Sequence, residues 1–317
     1  MSARIIVIGE ALVEIMRPAG GGPLDHEGIF QGPYPSGAPA IFAVAAARLG
    51  MQVGFIGCVG KDAFGRLMQN RLRNEGVDIS MLQIRADYAT GAAFIAYAPD
   101  GNREFVFHLR HSAAGALEAD QLSPDDFIGV DWLHISGSFL ALSDKTRSAC
   151  QRALDYTLAA GGKLSFDPNL RSELMPAEEA KIAFAPFLQA CHLFLPTAPE
   201  ALALAGTSDE DSAAKALLMD KDRLVVFKRG AYGCTIYSHN KRVDMPGYTV
   251  EEVDPTGAGD CFNAACVLGL AEGWSLERIA RFSNAAGALA VTKQGPMEGA
   301  PTPAEVEKLI NRSEQAS

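Results

Sequence analysis

A short segment near the C-terminal end carries residue types that could bind a phosphate and activate a hydroxyl against it. It precedes an apolar stretch that reaches Leu270, and it reads Asp254-Pro255-Thr256-Gly257-Ala258-Gly259-Asp260-Cys261-Phe262. Pro255 is excluded from a helix interior, whereas Gly257 and Gly259 allow backbone angles and close approaches that other residues resist. We therefore expect a helix to begin here with free backbone amides, and such a helix N-terminus binds anions.

Asp260 stands in the first turn of that predicted helix. A carboxylate there repels a resting phosphate, but it can accept a proton from a hydroxyl that attacks the phosphate. The segment therefore suggests phosphoryl transfer. It also has a purely structural interpretation, in which Asp260 is an N-terminal helix acid and the glycines form a tight turn. It is not a Walker A loop, because no Gly-Lys-Ser/Thr follows the glycines.

Four further motifs are spread along the N-terminal part of the chain: Gly9-Glu10, 36–40, 57–65 and 75–78. Together with residues 254–262 they resemble the PfkB/ribokinase family of carbohydrate kinases. The pattern is most similar to 2-keto-3-deoxygluconate kinases and to fructokinase-like and tagatose-kinase-like members. The resemblance implies a ribokinase-like three-layer αβα sandwich, which is an α/β fold with a mainly parallel central sheet and a small β-sheet lid.

The same resemblance implies ATP-dependent phosphorylation of a sugar hydroxyl. In this family the residue that matches Asp260 is the general base, and the amides that match Gly257, Ala258 and Gly259 hold the transferred phosphate. ATP and Mg²⁺ are the implied cofactors, since ATP phosphates need a hard cation. K⁺ joins them in members that use a monovalent cation, and Asp254 matches a residue that helps to bind it. The alternative role of Asp254 is a turn-stabilising Asx interaction.

The resemblance also assigns the nucleotide side of the site. Lys228 and Gly230 follow a predicted strand and match residues that lie near ATP. Glu200 matches the glutamate of an Asn-x-x-Glu motif that organises magnesium and phosphate, although Thr197 replaces the asparagine. Asn284 matches an asparagine near the adenine pocket. The structural alternatives are a solvated lysine at a sheet end and a plain helix-surface asparagine.

The sugar side departs from the common pattern of the family. Glu14 stands where many members carry aspartate and Ile41 where they carry asparagine, so recognition of sugar hydroxyls should differ. Gly37 opens a helix and matches a substrate-binding position. Arg110 and Arg171 resemble positions that hold the carboxylate in 2-keto-3-deoxygluconate kinases, and guanidinium groups suit carboxylates. Each arginine alone could instead be an ordinary salt-bridge residue.

The composition is that of an enzyme-sized chain with a substantial core, since 48% of its 317 residues are hydrophobic. Its formal net charge of -10 disfavours nonspecific binding to nucleic acid or anionic membranes. The six cysteines form no Cys-x-x-Cys pair, which favours reduced thiols. We find no signal-peptide pattern and no run of about 18 uncharged apolar residues. These features predict a cytoplasmic protein that binds neither nucleic acid nor membranes.

Strand-length apolar runs alternate with helical patterns, which is typical of a parallel sheet covered by helices on both faces. We expect a single kinase domain over residues 1–317. The predicted strands are 5–8, 53–56, 132–135, 163–166, 193–195 and 224–227, and the predicted helices are 38–49, 64–74, 145–160, 262–273 and 276–293.

Residues 91–99 and 103–109 depart from this alternation, because they are two β-rich runs around the hairpin turn Asp100-Gly101-Asn102. Together with strand-like 12–16 and 29–32, they predict a lid built from about 11–17, 28–33 and 90–110. The alternative is an antiparallel edge of the main sheet. An apolar lid face needs cover, so we expect a homodimer through the lid.

The leading hypothesis is a kinase that transfers the γ-phosphate of ATP to a hydroxyl of a ketohexose or a 2-keto-3-deoxy sugar acid. A nucleoside kinase of the adenosine or inosine type is the nearest alternative. It would need aromatic stacking from the lid, where alternation predicts that half of the candidate side chains pack inside: Phe94, Tyr97, Phe105 and Phe107. A catalytically silent nucleotide-binding protein is a third possibility, and the intact 257–260 segment argues against it.

Overall fold

The computed structural model describes residues 2–18, 20–97, 103–219 and 223–316. Its strands form two separate sheets, one of nine strands and one of four. In chain order the strands are β1 (Arg4–Ile8), β2 (Leu12–Met16), β3 (Gln31–Ser36), β4 (Gln52–Gly60), β5 (Leu82–Arg85), β6 (Gly91–Tyr97), β7 (Arg103–His108), β8 (Trp132–Ser136), β9 (Lys163–Asp167), β10 (Leu193–Phe194), β11 (Leu224–Lys228), β12 (Cys234–Tyr237) and β13 (Arg242–Met245).

The nine-stranded sheet has the order β13-β12-β11-β10-β9-β8-β1-β4-β5. Neighbouring strands are parallel from β5 through to β11, whereas β12 is antiparallel to both β11 and β13. The chain crosses from β1 to β4 on one side and later returns to β8 on the other. In open α/β sheets ligands bind at the carboxyl ends of the strands beside such a reversal, which places the site next to β1 and β8.

Helices cover both faces of this sheet, so the predicted three-layer αβα architecture is confirmed. Alternate residues of β1 enter opposite cores: Ile5 and Val7 face α1, α8 and α9, and Ile6 and Ile8 face α4 and α5. The helices are α1 (Ala38–Arg48), α2 (Ala63–Asn74), α3 (Gly137–Leu140), α4 (Asp144–Ala159), α5 (Ala177–Ala190), α6 (Ala198–Ala205), α7 (Glu210–Leu218), α8 (Ala258–Ala271), α9 (Leu276–Ala290) and α10 (Pro303–Ala316). Within the described residues, no helix has the length and apolar composition needed to cross a bilayer.

Several helices begin at a polar cap, and α8 does not. Before α2 the Asp62 carboxylate accepts the Gly65 amide at 2.7 Å, and before α4 Ser143 and Thr146 form a capping box. Such caps each stabilise a helix by about 1 kcal/mol. Helix α8 starts after Gly257 without a side-chain cap. Its first amides are therefore left for another acceptor.

The four-stranded sheet, which we call the lid, has the order β3-β2-β6-β7. Strands β2 and β3 are antiparallel, β2 and β6 are parallel, and β6 and β7 pair from Ala92↔His108 to Tyr97↔Arg103. The hairpin therefore belongs to the lid and not to an edge of the main sheet. The turn Asp100-Gly101-Asn102 lies outside the described residues.

The positions of two elements differ from the sequence-based expectation. The strand predicted at 29–32 is β3 at Gln31–Ser36, which contains Pro33 and Pro35. Proline discourages a strand assignment, but β3 lies at the lid edge, where a missing N–H leaves no ladder bond unmade. Helix α8 begins at Ala258, four residues before the predicted start, because its first turn is the glycine-rich segment itself.

Candidate active site

The carboxyl ends of β1, β8 and β9 border a cleft that the lid faces from the opposite side. The site therefore lies where the strand order reverses, as open α/β sheets require. The sheet side contributes Glu10, Ser138, Asn169 and Arg171, the lid contributes Glu14, Phe105 and Phe107, and α1 and α8 contribute Gly37, Ile41, Thr256, Gly257 and Asp260.

The N-terminus of α8 forms the floor of a potential anion site. Gly257 has a φ of 84°, and a Cβ atom on it would lie 2.4 Å from the Pro296 carbonyl oxygen, so only glycine fits. A Cβ atom on Gly259 would instead meet only the Lys228 Nζ atom, at 3.7 Å, which is an ordinary contact. An uncapped helix start beside an ammonium group is a favourable place for a phosphate.

Asp260 lies in the first turn of α8 and reaches the cleft. Its recessed position removes water from the carboxylate, and this desolvation raises the pKa of Asp260 well above its usual value of 3.8. The negative charge of Asp167 raises that pKa further, whereas Lys228 and Arg171 oppose the rise. A carboxylate with a raised pKa is a better proton acceptor than an ordinary surface aspartate.

A buried polar network lies beneath Asp260. The Lys228 ammonium donates to Asp167 Oδ2 at 2.7 Å and to Asn263 Oδ1 at 3.3 Å. The Asn263 amide nitrogen also donates to Asp167 Oδ2, at 2.5 Å. Lys228 is thus not a solvated lysine at a sheet end. It is held between β9 and α8, next to the amides that would receive a phosphate.

The sugar-side residues predicted from sequence meet at the lid end of the cleft. Glu14 is buried, and its Oε1 atom accepts a hydrogen bond from the Ser36 hydroxyl at 2.6 Å. Ile41 packs against Gly257 and lines the cleft with an apolar side chain. Many family members carry an asparagine at this position, so a side-chain amide is missing here. Gly37 has a φ of 106°, and a Cβ atom there would lie 2.5 Å from the Glu10 carbonyl oxygen. That close approach requires glycine.

The two arginines reach the same region in different ways. Arg171 lines the cleft and donates to the carbonyl of its neighbour Leu170 at 3.0 Å. Among the described residues it makes no ion pair. Arg110 is exposed and donates to the carbonyl of Leu174, itself a cleft residue. The structure therefore brings Arg171 into the cleft and Arg110 beside it.

Glu200 has a structural role in this structure. Its Oε1 atom accepts the Leu170 amide at 2.7 Å, and its Oε2 atom accepts the amide and the hydroxyl of Thr197 at 2.7 and 2.8 Å. Thr197, which stands where the motif has asparagine, is the N-cap of α6. Through Leu170, Glu200 fixes the loop that carries Arg171.

The other predicted nucleotide residues lie on two separate elements. Gly230 begins a short 3₁₀ turn directly after β11, with a φ of 55°. Asn284 is buried in α9, and its side-chain nitrogen donates to the carbonyls of Met245 and Pro246 at 3.1 and 2.9 Å. It is therefore not a surface residue, and in this structure it fastens the chain after β13 to α9.

Asp254 connects the lid to the glycine-rich segment. Its Oδ1 atom accepts the Tyr97 hydroxyl and the Thr256 amide, both at 3.0 Å. Its Oδ2 atom accepts from the Gln294 side chain at 3.0 Å and from the Gly295 amide at 2.9 Å. The Asx interaction that was the alternative to cation binding is present, and the carboxylate accepts four hydrogen bonds.

Sequence reasoning did not assign roles to three residues that line the cleft, which are Glu10, Ser138 and Asn169. It also assigned none to Asp167 and Asn263, which form the buried network with Lys228. Asn169 has a positive φ of 36°, and its backbone N–H donates to Asp167 Oδ1 at 3.0 Å. The available signal was the polar run Asp167-Pro168-Asn169 directly after a buried strand, because strand ends of a parallel sheet converge.

Comparison with known proteins agrees with this geometry. Residues 2–303 match the family described as pfkB family carbohydrate kinase. A fructokinase-1 of Oryza sativa subsp. japonica is 34% identical over 318 residues, with 98% of each chain covered.

Solved structures show the same similarity. A putative ribokinase II from E. coli, in complex with ATP and Mg²⁺, has a TM-score of 0.92 and 40% identity, covering 98% of this chain and 100% of its own. A fructokinase from Vibrio cholerae O395 bound to fructose, ADP and calcium ion has a TM-score of 0.85 and 29% identity, covering 97% and 99%. A double mutant of that fructokinase contains potassium ion with fructose and ADP. The chain therefore belongs to the pfkB family of carbohydrate kinases.

Proposed function

We propose that this carbohydrate kinase transfers the γ-phosphoryl group of ATP to a hydroxyl of a ketohexose or of a 2-keto-3-deoxy sugar acid. The observation that carries the proposal is the position of Asp260, a carboxylate with a raised pKa in the first turn of an uncapped helix that borders the sugar cleft. One side of Asp260 is a phosphate site and the other can hold a hydroxyl acceptor.

In this mechanism Asp260 accepts the proton of the sugar hydroxyl as that oxygen attacks the γ-phosphorus. The amides of Gly257, Ala258 and Gly259 stabilise the charge that develops on the transferred group. Lys228, held by Asp167 and Asn263, adds a fixed positive charge beside them. Hydrogen bonds to Asp167 and Asn263 fix the position of the Lys228 ammonium, so this charge is oriented by the fold itself.

The residues present fit a nucleotide better than a protein-held metal. Within the described part of the chain, no cluster of three His, Cys, Asp or Glu side chains could hold a metal ion. Magnesium would therefore be held mainly by the ATP phosphates and water, and it would neutralise phosphate charge during the transfer. Glu200 would contribute by ordering the Leu170 loop, while Gly230 and Asn284 remain predicted nucleotide contacts.

Potassium at Asp254 remains a prediction. The presence of potassium ion in the Vibrio cholerae fructokinase variant supports it. The carboxylate of Asp254, however, accepts four hydrogen bonds from its own chain. A cation beside it would therefore compete with these four donors for the carboxylate oxygens.

The identity of the sugar rests on two opposing observations. The fructokinase relatives favour a neutral ketohexose. The Arg171 guanidinium, which lines the cleft without an ion pair in the described residues, favours a substrate carboxylate. The stacked rings of Phe105 and Phe107, whose centroids are 5.3 Å apart, form one cleft wall and keep the nucleoside alternative open to test. A coupled assay with ATP and fructose, tagatose, 2-keto-3-deoxygluconate, ribose or adenosine distinguishes these acceptors, and turnover of none would reject the proposal.

The Arg171→Ala variant tests the charge of the substrate. If the acceptor is a sugar acid, loss of a charge-assisted hydrogen bond worth ~1.5–3 kcal/mol should raise its KM about tenfold or more. The KM for a neutral ketohexose should change much less. The matched control is Arg312→Ala, which removes an exposed arginine from α10. Fructose or tagatose as the far better substrate, with little effect of Arg171→Ala, would establish the ketohexokinase alternative.

The Lys228→Met variant tests the electrostatics around Asp260. Lys228 lowers the pKa of Asp260, so its removal should raise that pKa further. Because the base must be ionised, the acidic limb of the kcat profile should move to higher pH. We expect this shift by steady-state kinetics across pH with saturating ATP, and none in Lys308→Met, an exposed lysine on α10. An acidic limb at the wild-type position would show that Lys228 does not act on the base.

We also propose a homodimer through the lid. Phe105 and Phe107 face the cleft, whereas Phe94, Val106 and His108 alternate onto the outer face. Val106 is 42% exposed, and Ile29, in the segment leading to β3, is 77% exposed. The outer face combines these apolar side chains with the polar His108 and Glu104, and such a face on a sheet with an open edge favours pairing with a second copy.

Light scattering at micromolar concentration should give about twice the chain mass of 33.7 kDa. Val106→Glu should shift the protein towards the monomer because it charges the outer face of the lid, whereas Ile182→Glu on the exposed side of α5 should not. A fully active wild-type monomer would reject lid pairing.

Cytoplasmic localisation also remains a prediction.

A further inference from the structure

Glu10 is a buried carboxylic acid in the cleft that the phosphoryl-transfer mechanism does not use. It follows β1, is 3% exposed and lines the same cleft as Asp260. Its Oε1 atom accepts a hydrogen bond from the Ser138 hydroxyl at 2.7 Å. Its Oε2 atom is buried and has no hydrogen-bond partner among the described residues. An unpaired buried carboxyl oxygen costs free energy, so a ligand group that pairs with it is stabilised.

A chain of hydrogen bonds fixes the orientation of this carboxyl group. The Asn169 side-chain nitrogen donates to the Ser136 hydroxyl oxygen at 3.1 Å, and the Ser136 and Ser138 hydroxyl oxygens are 2.8 Å apart. Because Ser138 uses its one hydrogen on Glu10, Ser136 must donate to Ser138. Every donor in the chain thus points towards Oε1 of Glu10, and Oε2 is left as the atom that can bind a ligand.

We propose that Glu10 is a specificity-determining residue of this kinase, whose Oε2 atom binds a polar group of the sugar in the region of the Arg171 guanidinium. The inference rests on the proposed function, since it places the sugar in this cleft. An ionised Glu10 accepts a hydrogen bond from a sugar hydroxyl, whereas a protonated Glu10 donates one to a carboxylate. The same residue therefore favours a neutral sugar in one state and a sugar acid in the other.

The charge state of Glu10 changes near neutral pH. Burial raises the pKa of Glu10 to about 7, while the Ser138 hydrogen bond and the positive charge of Arg171 oppose the rise. Among the described residues, the carboxylate of Asp260 and the thiol of Cys150 in α4 also interact with Glu10. Of these neighbours, Arg171 favours the ionised form of Glu10, and Asp260 disfavours it when Asp260 is itself ionised.

The test is the pH dependence of KM for the sugar that the wild-type protein phosphorylates, measured at saturating ATP. Between about pH 6 and about pH 8, the KM of a neutral ketohexose should fall and that of a sugar acid should rise, by about tenfold in either direction. Glu10→Gln should remove this dependence, because its amide does not ionise. Glu251→Gln, at an exposed position, should keep the wild-type profile.

A second variant separates this role from a structural one. Ser138→Ala removes a hydrogen bond that lowers the pKa of Glu10, so the midpoint of the KM profile should move to higher pH. If Glu10 only supports the fold, Glu10→Gln will lower the melting temperature and leave the pH dependence of KM unchanged, which overturns the inference. Absence of wild-type turnover with any sugar overturns the proposed function, and with it this inference.

Discussion

The buried ion pair between Asp167 and Lys228 determines the geometry of the rest of the site. It joins the carboxyl ends of β9 and β11, two strands separated by β10, and Asn263 connects it to α8. Both side chains have lost most of their contact with water, so removal of either one would leave an uncompensated charge and destabilise the site. As a result the start of α8, and with it Asp260, has a fixed position relative to the sheet edge.

Two carboxylic acids with raised pKa values line the cleft, the buried Glu10 and the partly buried Asp260. In the proposed mechanism Asp260 acts beside the phosphate and Glu10 beside the sugar. Desolvation is the main cause of the raised pKa of both residues. Arg171 lies close enough to lower the pKa of both carboxyl groups, so the proposed mechanism connects the charge of the substrate with proton transfer. Asp254 connects the other side of the cleft, because its hydrogen bond with Tyr97 joins the lid to the glycine-rich segment.

The parts of this structure that sequence predicts well are those with a local physical cause. The 254–262 segment combines proline, glycines and an acid within nine residues. The alternation of strands and helices follows from the spacing of hydrophobic residues along the chain. The ion pair of Asp167 and Lys228 spans 61 residues, so only the tertiary fold reveals it. Helix α5 contains Pro186, and β5 has only four residues, which explains why neither was predicted. The Glu10 network likewise depends on β1 and β8 being neighbours.

The central claim is that Asp260 is the base of a phosphoryl transfer built on the N-terminus of α8. Its most direct test compares the turnover and the ATP dissociation constant of Asp260→Asn with those of the wild type, using the sugar that the wild type phosphorylates. The substitution removes the proton acceptor and leaves the helix amides intact, so kcat should fall by roughly a thousandfold or more while ATP affinity stays nearly unchanged. Near-normal turnover in Asp260→Asn would contradict the account.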